Sequence, residues 1–179
     1  MGKVILVPHK IEYVKELYEL SKDPEVHKHL NFDNPSFEST KEFVRYVIKA
    51  EEIGNEVSRV ILNKEQKVVG VITLMNINYV QSHCHIGFWI GKEYWGKGYI
   101  QDALNQMLTL AFNELNLNLV FAGARKENIR SQKFQEKIPY VSTKVNEQYP
   151  EVVRFLEAKE NTSCILNVIK KEDFKKYII

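Results

Sequence analysis

The stretch HIGFWIGKEYWGKGYIQDAL, residues 85–104, decides how this chain is read. Its first part belongs to the β-branched and aromatic run His83 to Ile90, the composition of a strand. Its last part opens a helix, because Ile100, Ala103, Leu104, Met107, Leu108, Ala111, Phe112 and Leu115 keep helical spacing for about four turns. Between the two lies a loop whose last glycines, Gly96 and Gly98, stand just before the helix. Glycines let backbone N–H groups turn inward, and a helix N-terminus adds partial positive charge. A strand, such a loop and a helix together make a phosphate-holding device. Gly87, inside the strand, suggests a bulge or a close backbone approach.

Three kinds of loop fit in part. Gly91 to Lys97 matches most of G-x-x-x-x-G-K-[ST], but Gly98 stands where a Mg²⁺-binding hydroxyl belongs. The next strand, Asn118 to Ala124, also ends without a supporting aspartate. Gly96 and Gly98 fit G-x-G-x-x-G, but Gln101 replaces the third glycine and no acidic residue ends the next strand. The third kind, [Q/R]-x-x-G-x-[G/A], is filled by Glu93 to Gly98, with Glu93 replacing the usual first residue.

The third loop is that of the GNAT acetyltransferases. The stretch GFWIGKEYWGKGYIQDAL resembles GYWIxPEYWGKGYATEAL of their RimJ/RimL-like branch, with Lys92 for a proline and Asp102 for a glutamate. Asn128-Ile129-Arg130-Ser131 is similar to that branch's N-x-x-S, and Pro139 departs from a glycine in its K-L-G-F. The resemblance implies an α/β (α+β) fold with a mixed, largely antiparallel sheet flanked by helices. It implies acetyl-CoA as cosubstrate, with no metal, and an amine as acceptor: a protein N-terminal α-amine or a small-molecule amine.

The same resemblance implies site residues. Pyrophosphate would sit on the loop around Trp95, Gly96, Lys97, Gly98, Tyr99 and Ile100, and the pantetheine arm would pair near Trp89 and Ile90. The strand from His83 would open in a V against the one at Asn118, and Asn128 would bond the arm. Arg125, Lys126, Arg130 and Lys133 would attract phosphate or simply form a solvated helix face. A strand N–H near Ile90 would meet the oxyanion. Many relatives carry a tyrosine where Gln135 stands, so Ser131 is the expected donor to the leaving sulfur, against a reading as a helix cap. His85 is the expected base, with His83 on its strand face, against packed residues or water as carrier. Cys84 alternates to the other face, which favours direct attack by the amine over a cysteine intermediate. The alternative is a CoA-binding regulatory module without turnover.

The rest of the chain is read around this centre. Val4 to Pro8 is an expected strand, followed by a helix carrying Val14, Leu17 and Tyr18 and a short one opened by Asp23-Pro24. Ser39 and Glu42 have capping-box spacing before Phe43, Val44, Val47 and Ile48. The runs from Val57 and from Lys67, either side of Asn63 to Gln66, predict a hairpin. Ser131 to Lys137 suits a helix. Val152 to Leu156 and Cys164 to Ile169 read as a closing pair of strands. Leu30 to Phe37 shows no period and reads as a loop; the resemblance implies that such a segment borders the acceptor, with Phe32 and Asp33 as candidates and the loop near Tyr149 beside them. Glu157 and Glu160 would bind a cationic amine or be solvated.

Composition excludes several classes. Hydrophobic residues make up 44% of the 179 and charged ones 27%, the balance of a globular domain without linker or repeat. Lys plus Arg is 25 against 23 for Asp plus Glu, so nothing demands a nucleic acid. No apolar run approaches a membrane span, and MGKVILVPHK turns polar too soon for a signal peptide. Two cysteines, Cys84 and Cys164, make no disulfide scaffold. A cytoplasmic protein with reduced thiols is expected, monomeric or a homodimer, with no zinc spacing and no G-x-S-x-G elbow.

Overall fold

The fold, taken from a computed structural model, is described for residues 2–30 and 35–178. Seven strands form one sheet: β1 (Val4–Pro8), β2 (Val57–Asn63), β3 (Val68–Asn78), β4 (His83–Ile90), β5 (Leu119–Arg125), β6 (Val141–Ser142) and β7 (Cys164–Lys170). Their order is β1-β2-β3-β4-β5-β7-β6. Every neighbouring pair is antiparallel except β4 and β5. A parallel pair needs a crossover. Here it is α4 (Tyr99–Thr109), prolonged by a π-helical turn at Leu110–Glu114. The mixed, largely antiparallel sheet expected from the sequence is therefore present.

Helices cover both faces because alternate strand residues are apolar on both. On one face Ala103, Leu104, Met107 and Leu108 of α4 pack on Ile61, Ile72, Leu74 and Val120. On the other, α1 (Val14–Ser21) and α3 (Phe37–Glu52) supply Val14, Leu17 and Val44 against Val60, Leu62 and Val71. Farther along that same face, α6 (Pro150–Glu160) lays Leu156 on Phe121, Leu166 and Val168. The remaining helices, α2 (Pro24–His27), α5 (Ile129–Glu136) and α7 (Lys171–Tyr177), are short. Among the described residues no helix is long and apolar enough to cross a membrane.

Local chemistry sets the joints. Asn63 closes the β2–β3 hairpin by accepting the N–H groups of Glu65 at 3.1 Å and Lys67 at 2.9 Å, beside Gln66 at φ 60°. Asp23 caps α2 through the Glu25 N–H at 2.8 Å, with Pro24 at the first helical position. The box on α3 lies three residues earlier than Ser39 and Glu42 suggested. Ser36 accepts the Ser39 N–H at 3.0 Å, and the Ser39 hydroxyl accepts the Ser36 N–H at 3.0 Å. A second serine thus does what the glutamate was expected to do, and Phe37 joins the helix.

Two further expectations are corrected. Val152 to Leu156 is helical, opened by Pro150 and stopped by Asn161 at φ 52°. A short β-branched run fits either periodicity, and the proline at its head decides for the helix. The outer neighbour of β7 is instead β6, through Val141↔Ile169 and Ser142↔Val168. Gly87 carries no bulge either: the β3–β4 register runs through Thr73↔Gly87 and breaks between Met75 and Asn78, where Asn76 has φ 52°. Close approach is real, since a Cβ on Gly87 would stand 2.7 Å from Met75 Cε.

Asp102 ties the start of β1 to the start of α4 by accepting the N–H groups of Lys3 at 2.5 Å and Val4 at 2.8 Å. Two bonds to one carboxylate are worth more than neutral ones. Asp102→Ala should therefore lower unfolding stability by about 2 kcal/mol in urea titration, with the m-value unchanged.

Candidate active site

The site begins where β4 and β5 part. They pair from His83↔Leu119 to Ile86↔Ala122, whereas β4 runs on to Ile90 and β5 to Arg125. The Gly91 N–H donates to the Val69 carbonyl at 2.9 Å, so residues 91 and 89 turn their backbone groups toward β3. Alternation then turns those of Phe88 and Ile90 into the gap. The open edge of β4 thus centres on Phe88 and Ile90, with Trp89 between them bonded to β3. The Ile90 carbonyl is taken by the Trp95 indole N–H at 3.0 Å.

The loop closes one end of the gap. After a 3₁₀ turn at Lys92–Tyr94, Gly96 and Gly98 take φ 76° and 77°, the left-handed region that glycine enters freely. Among the described residues no acceptor meets the N–H groups of residues 96–101. A row of unpaired N–H groups at the mouth of α4 has the geometry that suits an anion, reinforced by the helix dipole. The Arg130 guanidinium lies over the Trp95 ring, 3.1 Å from its centroid, and adds a cation to that mouth.

Two cavities meet at the gap. A cleft of about 710 Å³ is lined by Trp89, Ile90, Trp95, Gly96, Gly98, Tyr99, Ile100 and Asn128, and by Arg130 and Lys133. Of the residues expected at the cofactor, Lys97 alone is not on this wall; its carbonyl accepts from Lys3 Nζ at 3.1 Å. A second cavity of about 290 Å³ lies between the α2–α3 side and α6, with Thr73, Met75, Gly87, Arg125, Leu156 and Lys159 in its walls. His29, Phe88, Trp89, Asn128 and Ser131 border both.

Ser131 is held by a chain that starts in the core. Lys144 N–H donates to Asn167 Oδ1 at 2.8 Å, Asn167 Nδ2 to Gln135 Oε1 at 2.5 Å, and Gln135 Nε2 to Ser131 Oγ at 3.1 Å. Asn167 and Gln135 are buried, so this chain is stiff. With Oγ already accepting from Gln135, the Ser131 proton is available to the cavities. Asn128, rather than Ser131, caps α5, its Oδ1 accepting the Ser131 N–H at 3.1 Å.

His85 is elsewhere. Its ring packs between Phe121 at 5.7 Å and Phe155 at 5.6 Å, and it lines neither cavity. Burial, then His83 and Lys159, push its pKa down to about 4. His83 bonds Gln81 at 2.9 Å and meets the Phe121 ring edge-on at 5.4 Å. The structure therefore does not bring the expected base beside Ser131, because α6, read as a strand, covers that part of the sheet.

The acidic residues expected at the acceptor are engaged as well. Glu157 accepts the Cys164 N–H at 2.9 Å, and Glu160 pairs with Arg125 at 2.7 Å beside the smaller cavity. Arg125 thus serves that cavity, and Lys126 lines neither. Phe32 and Asp33 lie outside the described residues.

Some site groups gave no sequence signal. Thr73 carries a hydroxyl into the smaller cavity, bonded to Ser58 at 2.7 Å, which meets His9 Nε2 at 2.9 Å. These residues are distant in sequence and meet only because β1, β2 and β3 are neighbours. His29 stands in a polar stretch with no motif, and only the meeting of the two cavities singles it out.

Residues 3–140 match the acetyltransferase (GNAT) domain family. The chain belongs to the GNAT acetyltransferases. Among curated relatives, YdaF of Bacillus subtilis (strain 168), provisionally named a ribosomal N-acetyltransferase, is 40% identical over 40% of this chain and 39% of its own length. YnaD of the same organism, named an uncharacterized N-acetyltransferase, is 31% identical over 68% of this chain and 69% of its own. A Vibrio cholerae structure, provisionally described as a ribosomal-protein-serine acetyltransferase, superposes with TM-score 0.77 at 18% identity, covering 95% of each chain. At that identity it shows the fold alone. The resemblance to the RimJ/RimL-like branch is thereby confirmed, as are the fold and N-acetyltransferase chemistry.

In this GNAT fold both thiols are buried. Burial raises Cys84 to about 12, and burial with Glu160 and Glu157 raises Cys164 to about 11. Only the thiolate alkylates rapidly. The native protein should resist iodoacetamide at pH 7.5 for as long as it takes to consume free glutathione, and should label twice once unfolded, read by intact mass.

Proposed function

We propose that the chain binds acetyl-CoA along the β4–β5 gap and transfers its acetyl group directly to an amine held in the smaller cavity. The observation that carries this reading is the shared wall of the two cavities, where donor and acceptor would meet at Phe88 and Ser131. Pyrophosphate would take the N–H groups of residues 96–101, and the arm would add to the edge of β4. The outward N–H of Phe88 or Ile90 would meet the developing oxyanion. The Ser131 hydroxyl, aimed by Gln135, would donate to the departing sulfur.

A monoamine, above all a peptide N-terminal α-amine, suits this cavity best. A polycation needs several open carboxylates, and the carboxylate described on this wall, Glu160, is paired with Arg125. An α-amine has an ordinary pKa of about 8 against about 10.4 for an alkylamine, so less work frees its lone pair. One relative is named a spermidine N(1)-acetyltransferase, from Vibrio cholerae, 26% identical over 46% of this chain. The acceptor pool should therefore include polyamines.

The test is incubation with acetyl-CoA and pooled peptides with free N-termini, lysine side chains, polyamines and aminoglycosides, read by mass spectrometry. A gain of one acetyl group on N-terminal α-amines is expected. Ser131→Ala should lower kcat by about 100-fold while acetyl-CoA affinity holds. Acetyl-CoA bound with no product would turn the reading to a CoA-binding module, and no binding at all would overturn the loop assignment.

A further inference from the structure

The acceptor arrives protonated, and the expected base, His85, lines neither cavity. Of the five histidines, His9 is bonded to Ser58, His83 and His85 lie against Phe121, and His27 lines neither cavity. Among the described residues, His29 is the one histidine that borders both the large cleft and the smaller cavity. It sits just past α2, anchored by its own N–H to the Val26 carbonyl at 3.2 Å. Its half-buried imidazole makes no hydrogen bond to another described residue, so a ring nitrogen is open to a ligand. Beside it on the shared wall are Asn128 and Ser131, the opening of α5.

We propose that His29 is the general base that takes the proton from the acceptor amine; this rests on the acetyl-transfer reading above. An N–H bond of the ammonium breaks and its proton goes to the imidazole, which releases it to solvent. The freed lone pair attacks the thioester carbonyl carbon, and the C–S bond breaks with its electron pair on sulfur. The second proton lost by nitrogen ends on that sulfur, through the Ser131 hydroxyl. The products are the N-acetyl amide, CoA thiol and one proton, so atoms and charge balance.

The surroundings suit this role. Partial burial, Lys28, and the guanidinium groups of Arg125 on β5 and Arg130 on α5 lower the His29 pKa, while Glu25 on α2 opposes them. The ring is therefore neutral, and able to accept, at pH 7. The same cations face an incoming ammonium and make its proton easier to remove.

The sign of the pH effect follows. A base works when deprotonated, so kcat/KM for the amine gains an acid limb below pH 6.5 from His29, in addition to the ionisation of the amine. His29→Ala should lower kcat/KM by roughly 100-fold or more, remove that limb, leave the calorimetric acetyl-CoA affinity unchanged, and regain activity with added imidazole. His29→Gln, which keeps a polar group but no basicity, should be equally slow. Full activity in either variant, or a loss that imidazole leaves unrepaired with the acid limb intact, would overturn the assignment. If the wild type acetylates no amine at all, the transfer reading and this base fall together, whereas an active wild type with active variants removes His29 alone.

Discussion

The interruption of one parallel strand pair organises this molecule. β4 and β5 exchange backbone bonds only as far as Ile86↔Ala122, then diverge while each remains paired on its other side. An unpaired strand edge inside a sheet is costly unless something else completes it. Here Trp95 takes the Ile90 carbonyl, and the rest of the edge is where we propose that an extended ligand pairs. The crossover forced by the parallel pairing delivers α4, and with it a helix N-terminus, to the same end of the gap. Topology thus places an open strand edge next to a helix N-terminus, the arrangement on which the proposed donor site rests.

The two walls of the gap differ in stiffness. On the β5 side, Ser131 is fixed through Gln135 and Asn167 to the buried sheet, and Asn128 fixes the helix that carries it. A hydroxyl held this way presents its proton in one direction, which is the preorganisation that leaving-group protonation needs. On the opposite wall, His29 depends on a single backbone bond past the short α2. Charge adds a second asymmetry. Arg125, Arg130 and Lys133 line the combined cavity, so its field disfavours bound cations and favours the phosphates of a nucleotide donor.

The sequence was most readable where local rules and tertiary needs agree. The edges of β4, the hairpin turn at Asn63 and the helical stripe from Ile100 were legible because periodicity, turn chemistry and burial point the same way. The loop was legible because Gly96 and Gly98 occupy positive φ, a demand visible in the letters themselves. Val152 to Leu156 was misread because five residues, four of them apolar, carry too few turns to separate two periods. His85 drew attention by its place just before the loop motif, and its packing against Phe155 of α6 joins residues seventy positions apart that no local rule links. Gln135 looked like a missing tyrosine, but its meaning lies in Asn167, thirty-two residues away, and no local rule links the two. His29 and Thr73 belong to the same class, groups whose significance comes only from the cavity they share.

The most direct test of the account is amide hydrogen exchange with and without acetyl-CoA, resolved to single residues. The account predicts added protection at the N–H groups of Phe88, Ile90 and residues 96–101, for which the described residues supply no acceptor, with the β1–β2 and β5–β7 ladders unchanged. Protection spread over the sheet, or confined to another surface with the loop untouched, would contradict the claim that the strand gap and the loop at α4 form the donor site.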